Sequence, residues 1–464
     1  MRRLLALSMA LVLAPAAVGE DLLEVFDRAL LNDPQIREAD AVRLANREAK
    51  PQALATLLPQ ISGSASKTRD DNTSSSQSTR IIGGQLLTFG GNDRSKPDTE
   101  RWSIDLRQRL FSWGDWVALK QANKEVAQAE VDYQAAQQDL AQRVATRYFD
   151  VLAAQDTVAA QDAALEAFTQ LLEQAEKRFE VGLIAITDVQ EARAARDTSA
   201  AALIAAKRQL STAQEFLQEI VGVRPDSLAA PNETMPLKSP DPAEANAWVE
   251  LSMQQNVALT SSRLAADIAR DNVRMAFGGH LPQLDLLASR SNNSSEATTT
   301  FENGVSAPSV SDQDSKSIGL QLSVPLFAGG GTQSRVRQQE YLWQASRARL
   351  ERTSRATERL ARDAYLGVQS EISRVNALRQ ALQSARTALQ ATEAGYEVGT
   401  RTAVDVLDSR RRLVQAETDY SRSRYDYILN VLQLQLAAGN LDRETVEEVN
   451  TWLAAPAPAS QINQ

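Results

Sequence analysis

The chain has 464 residues, with 50 basic and 59 acidic side chains and a formal charge of −9. It holds no cysteine and one histidine, which excludes disulfide scaffolds, thiolate metal sites, iron–sulfur clusters and any mechanism needing two histidines; neither enzyme chemistry nor a cofactor or metal is expected. Hydrophobic residues make up 43% but aromatics only 5%, a composition that suits long helices better than a large compact core, and the acidic balance argues against nucleic acid as a partner.

Residues 1–19 read as a signal peptide. Arg2 and Arg3 precede an apolar stretch from Leu4 to Leu13, and Ala17-Val18-Gly19 supplies small residues for cleavage. Removal takes the charge to 48 − 59 = −11 and carries the chain out of the cytoplasm. No later stretch approaches the roughly 18 consecutive apolar residues of a membrane helix, so residence in a membrane requires β-strands.

A first unit is read over 20–222: helices, a β-hairpin at about 59–112, a long helix 115–181 and a helix 185–221. In the hairpin Trp102, Ile104, Leu106 and Leu110 alternate with Ser103, Asp105, Arg107 and Arg109, which predicts a strand with one apolar and one charged face, of the length of a tilted transmembrane strand. Arg107 would face water, where charge reversal costs little. The partner strand starts at Ile61. The Ser/Asn/Thr-rich stretch Asp70 to Thr79 is expected to be a solvated loop, followed by an apolar insertion from Ile81 to Phe89. Asp115 to Val181 contains neither proline nor glycine; as a helix it would reach about 100 Å at ~1.5 Å per residue.

Pro225, Pro231, Pro236, Pro240 and Pro242 mark a linker over 223–243. The second unit, 244–438, has a hairpin at about 281–328, with Ile318, Leu320, Leu322, Val324 and Leu326 on one face, a loop expected at Ser291 to Thr300, a long helix 331–398 and a helix 402–438. A C-terminal equatorial segment and tail, 439–464, ends the chain.

The two units are copies. Arg178 to Val189 matches Gly395 to Val406 at an offset of 217, and Leu58-Pro59-Gln60-Ile61 matches Leu281-Pro282-Gln283-Leu284 at an offset of 223. This two-fold internal repeat gives four transmembrane strands per chain. Four strands cannot close a barrel, and an open sheet in lipid leaves unpaired backbone groups. The chain must therefore oligomerise, and strand arithmetic alone leaves dimer, trimer and tetramer open.

Arg178 to Gln190 (RFEVGLIAITDVQ), Tyr396 to Asp408 (YEVGTRTAVDVLD) and His280 to Leu284 (HLPQL) resemble the TolC family of outer-membrane efflux channels. The resemblance covers nearly the whole mature chain. It implies a mixed α and β membrane protein that is a homotrimer, with a twelve-stranded β-barrel in outer-membrane lipid continued by a long α-helical barrel across the periplasm. It also implies a periplasmic adaptor (membrane fusion) protein and an inner-membrane transporter as partners, with drugs or proteins, as in type I secretion, as cargo. The runner-up is a non-conducting trimeric strut or adhesin that spans the envelope.

Asp405 and Asp408, three residues apart near a helix start, share one face. They either stabilise the helix N-terminus through its dipole or, by resemblance, form the pore constriction, where threefold symmetry gathers six carboxylates whose repulsion raises some of their pKa values. The first copy carries Asp188 and Glu191 there. Tyr396 and Arg401 replace Phe179 and Ile184, so only the second copy holds these donors, while the first offers Thr187 and Asp188 as acceptors; by resemblance these four are the gate links. Gly182 and Gly399 serve as helix C-caps and, by resemblance, as the places where an adaptor helix docks. His280 reads as a turn residue, Ala328 to Thr332 lacks the lysine of a phosphate loop, and Trp113 and Trp116 read as an aromatic belt or as junction packing.

Overall fold

The computed structural model describes residues 20–453 apart from 226, 233–234 and 303. The predicted signal peptide 1–19 and the end of the tail lie outside the described residues. The chain divides into two compact units: 1–44, Ala129–Arg263 and Ala348–Gln464 make the first, Ala45–Gln128 and Leu264–Arg347 the second.

The elements run α1 (Leu22–Asn32), α2 (Pro34–Arg47), α3 (Ala49–Ala55), β1 (Gln60–Arg69), β2 (Asn72–Ile82), β3 (Gln85–Phe111), α4 (Trp113–Glu180), α5 (Ile186–Val221), α6 (Ala245–Gln255), α7 (Val257–Phe277), β4 (Gln283–Thr300), β5 (Ser306–Ser323), α8 (Gly331–Glu397), α9 (Ala403–Ala438) and α10 (Arg443–Asn450). None of the described helices is long and apolar enough to cross a membrane.

The core of the first unit collects Leu140, Val144, Tyr148 and Phe149 of α4, Leu22, Val25 and Phe26 of α1, Tyr365 and Val368 of α8, and Tyr427, Ile428 and Leu432 of α9. The proline-rich segment is bound into this core. Buried irregular backbone needs partners for its polar groups, and tyrosine hydroxyls supply several: Tyr148 donates to Ala229 O at 2.7 Å, Tyr365 donates to Ala243 O, and Lys238 N donates to Tyr427 Oη at 2.9 Å. Trp248 Nε1 adds a bond to Pro242 O at 2.8 Å. The segment is a fastened strap, and its prolines mark where helix stops without showing where the strap packs.

The second unit carries one antiparallel sheet in the order β1-β3-β4-β5, with β2 also on β3. β1 pairs with 98–107 of β3 and β2 with 85–95 of the same strand, so the two lie end to end along one edge and the sheet is four strands wide. The stretches expected to be loops are strand. Asn72 to Thr79 lies in β2, and Ser291 to Thr300 pairs with 306–315 of β5. Ser, Thr and Asn complete the backbone ladder without distinguishing two faces, so alternation marks only part of each strand. The apolar insertion forms the end of the β2–β3 hairpin, turning at Gly83-Gly84, with Ile81 opposite Leu86.

The two faces of the sheet differ in chemistry. Leu106, Ala288 and Ile318 stand in register across three strands, with Ile61 beside Leu106 on the fourth. On the opposite face Ser103 donates to Asp105 at 2.7 Å, Ser289 donates to Asp105 at 2.8 Å and Arg107 donates to Asp285 Oδ2 at 2.8 Å. The Asp285 side chain is 6% exposed. This corrects the expectation for Arg107: its reversal would set a second carboxylate against a buried one, which is costly.

Ser317, on the polar face of β5 and opposite Ser289, tests the assignment of faces instead. Leu320→Arg should cost about 2 to 4 kcal/mol near the bilayer midplane, whereas Ser317→Arg should be close to neutral. Urea titration of protein refolded into liposomes measures both; equal losses would show that this assignment of faces is wrong, and a larger loss for Ser317→Arg that the faces are reversed.

Candidate functional site

Two helix turns in the first unit carry the residues singled out above. α4 passes into α5 through 181–185, and α8 into α9 through 398–402. Each turn closes the same way. Gly182 N donates to Phe179 O at 2.8 Å and Leu183 N to Arg178 O at 2.9 Å; Gly399 N donates to Tyr396 O at 3.2 Å and Thr400 N to Gly395 O at 2.8 Å. This is the Schellman closure. It requires left-handed backbone, and both glycines have positive φ, +75° and +80°. A Cβ built on either would meet nothing within 4 Å, and Val181, Leu183, Ile186 and Val398 are exposed around them.

The N-termini that follow are unlike. Thr402 caps α9 in a capping box: Asp405 N donates to Thr402 Oγ1 at 3.2 Å, and Asp405 Oδ2 accepts from Thr402 N at 2.9 Å and from its hydroxyl at 3.0 Å. The matching position before α5 is Ala185, which has no side chain to cap with. Asp188 therefore does not serve a capping box and stays half-buried, with Thr187 exposed beside it. The backbone N–H of Thr402, followed by its hydroxyl, holds the Asp405 carboxyl below its ordinary value of 3.8. Within one chain this is opposite in direction to the shift expected from a ring of carboxylates.

Asp408 is exposed and pairs with Arg411 at 3.5 Å. Sequence reasoning missed this partner, although Arg410-Arg411-Arg412 on the same helix was a signal for it. Arg410 in turn bridges to Glu393 at 2.7 Å, and Arg193 to Glu176 at 2.8 Å, so each helix pair is tied near its turn.

Tyr396 is buried among Phe168, Leu171, Ala403, Val406 and Leu407, with the Arg178 guanidinium 4.5 Å over its ring. Its hydroxyl is buried and has no hydrogen-bond partner. A group of this kind costs about 1 to 3 kcal/mol when left unpaired. Neither Tyr396 nor Arg401 bonds Thr187 or Asp188 within the chain. The structure thus places donors and acceptors at two separate turns and does not join them inside one protomer.

The family described as outer membrane efflux protein matches residues 25–223 and 248–440, the two segments that flank the strap. The chain belongs to that family. Outer membrane protein TolC of Vibrio cholerae is 38% identical over 446 residues, 95% of either chain. TolC of Escherichia coli is 34% identical, covering 96% of this chain and 87% of its own, and the alkaline protease secretion protein AprF of Pseudomonas aeruginosa is 29% identical, covering 95% and 88%. The CmeC outer membrane channel of Campylobacter jejuni shares the fold, with a TM-score of 0.72 at 18% identity over 94% of this chain and 90% of that one. As an outer membrane efflux protein the chain is a channel of the outer membrane that extends into the periplasm, with a mixed α and β fold and a long helical part. These relatives are channel proteins, not enzymes.

The capping geometry of this efflux protein sets a pH expectation. Because the folded Asp405 value lies below 3.8, its contribution is fully present above 3.8 and is lost only as pH falls through the lower folded value. Exchange protection of the first turn of α9 should be the same at pH 7 and pH 5 once intrinsic exchange rates are allowed for. Thr402→Ala should lower it by about 1 kcal/mol while leaving α5 unchanged, and an unaffected α9 would show that the cap is not what holds this turn.

Proposed function

We propose that the chain works as a homotrimer in which three four-strand sheets close a twelve-stranded barrel in outer-membrane lipid. The observation that carries this reading is the open sheet: β1 and β2 on one edge and β5 on the other have no further strand beside them among the described residues, and every residue of β5 is exposed. In lipid such edges leave backbone donors and acceptors unpaired at several kcal/mol each. Joining the β5 edge of one copy to the β1 edge of the next removes all of them. The internal repeat fits this picture, since two hairpins per chain place equivalent helix pairs at regular intervals around the axis.

The helical part then forms a conduit whose periplasmic end is closed by bonds between copies. Tyr396 donates to Asp188 of a neighbouring helix pair and Arg401 to Thr187 or Asp188. The buried, unpartnered Tyr396 hydroxyl and the uncapped Asp188 support these pairings. Asp405 and Asp408 line the constriction, each with an arginine of its own chain acting on it, Arg401 on Asp405 and Arg411 on Asp408. The exposed apolar turns at Gly182 and Gly399 receive the hairpin of a periplasmic adaptor, which couples the channel to an inner-membrane transporter. Named relatives include protease secretion proteins and a pyoverdine export protein, so export of small molecules or proteins is the activity proposed, with the partner pump deciding the cargo.

Single-channel recording in planar bilayers tests the gate. Each link is worth roughly 0.5 to 1.5 kcal/mol net, so Tyr396→Phe with Arg401→Ser should raise conductance severalfold. Asp405→Asn, which keeps an acceptor at the cap, and Asp408→Asn should each weaken cation selectivity. Wild-type conductance and selectivity in all these variants would move the constriction elsewhere, and a silent wild-type trimer would favour the strut.

Docking is tested by export. Gly399→Asn tolerates left-handed backbone and should retain activity, whereas Gly399→Trp should leave trimers in the membrane and abolish export. Full export by Gly399→Trp would place the adaptor at another surface.

A further inference from the structure

On the apolar face of the sheet, one step beyond the layer of Leu106, Ala288 and Ile318 and away from the helices, stand Ile104, Arg290 and Lys316 in register on β3, β4 and β5. Arg290 and Lys316 are direct cross-strand partners. Like charges in that relation destabilise a sheet, and charge on the lipid face of a barrel is costly unless it lies near an interface. Little on the chain relieves the pair. Arg290 reaches Asp314 only at 3.7 Å, both side chains being about half exposed, and Lys316 has no acidic side chain within 4 Å among the described residues. The ring of Trp102 lies 5.9 Å from the Arg290 guanidinium, which sets an aromatic of the interfacial kind beside the two cations. The acids on this face of β5, Asp314 and Asp312, come at the next two outward-facing positions, farther from the apolar layer.

We propose that Arg290 and Lys316, flanked by Trp102, form a binding site for a phosphate-bearing lipid headgroup of the outer leaflet. The inference rests on the apolar face meeting lipid and on the helices lying on the periplasmic side. Phosphate bound at the boundary between acyl chains and headgroups neutralises both cations at once, and the acids beyond them lie at the depth of headgroup sugars and water. The cross-strand repulsion is thereby turned into affinity for an anion.

The test uses the purified trimer in detergent, with phosphorylated lipopolysaccharide as probe and the same lipopolysaccharide after enzymatic dephosphorylation as its control. A cation near an anionic lipid surface is worth about 1 kcal/mol, so Arg290→Gln with Lys316→Gln should weaken binding by roughly 25-fold. Wild-type protein should bind the dephosphorylated form as weakly as the double variant binds the native one. Arg101→Gln, on the other face of β3, should change nothing, and millimolar inorganic phosphate should not displace the lipid. Equal binding by wild type and double variant, or equal binding of both lipid forms by wild type, overturns the proposal; displacement by inorganic phosphate would reassign the pair to a free anion. The double variant should conduct as wild type does, so a failure of this inference leaves the channel reading standing.

Discussion

The constraint on which the sheet depends is that a backbone donor or acceptor in hydrocarbon must find a partner. A sheet four strands wide satisfies its interior and leaves two edges. The unusual lengths follow from the same constraint: β3 runs for 27 residues because it serves two strands laid end to end on one side and β4 on the other. Apolar side chains decide where in this sheet lipid can lie, and the hydrogen-bond ladder decides how far the strands extend. The two need not coincide, and along β2 and the distal half of β4 they do not.

That separation explains what could be read from the amino acids. The long helices were legible because proline and glycine are missing for dozens of residues and reappear at the turns. The halves of β3 and β5 nearer the helices were legible because one face is apolar and the other polar. β2 and distal β4 were not: Ser, Thr and Asn on both faces look the same whether the backbone is paired to a neighbour or to water. The strap was legible as a break but not as a packed element, because its attachment depends on Tyr148, Tyr365 and Tyr427 reaching its backbone from distant helices.

At the two turns the residue types were legible and their states were not. Tyr396 could be recognised as a donor lacking in the first copy, but that its hydroxyl is buried without a partner is a property of packing. Asp405 and Asp188 occupy equivalent positions and look interchangeable. A single difference three residues earlier, Thr402 against Ala185, fastens the first to its own helix and leaves the second uncommitted. Arg107 shows the converse: its type suggested a dispensable charge on a wetted face, and its buried partner Asp285 makes it structural.

The unequal capping bears on how a closed end could open. An intermolecular bond that also held a helix terminus in place could break only if that terminus frayed, which would add the cost of the lost cap to the cost of opening. Here the two are separated. α9 is capped within its own chain through Thr402 and Asp405, and both turns are closed by backbone bonds of their own. The groups proposed for bonds between copies, the Tyr396 hydroxyl and the Asp188 carboxylate, belong to no internal cap. In the proposed trimer, opening would therefore cost the inter-copy bonds and leave one buried hydroxyl per chain unpaired, about a few kcal/mol per chain, while every helix end keeps its closure. Contacts made by a docking partner on the exposed apolar turns are of that size.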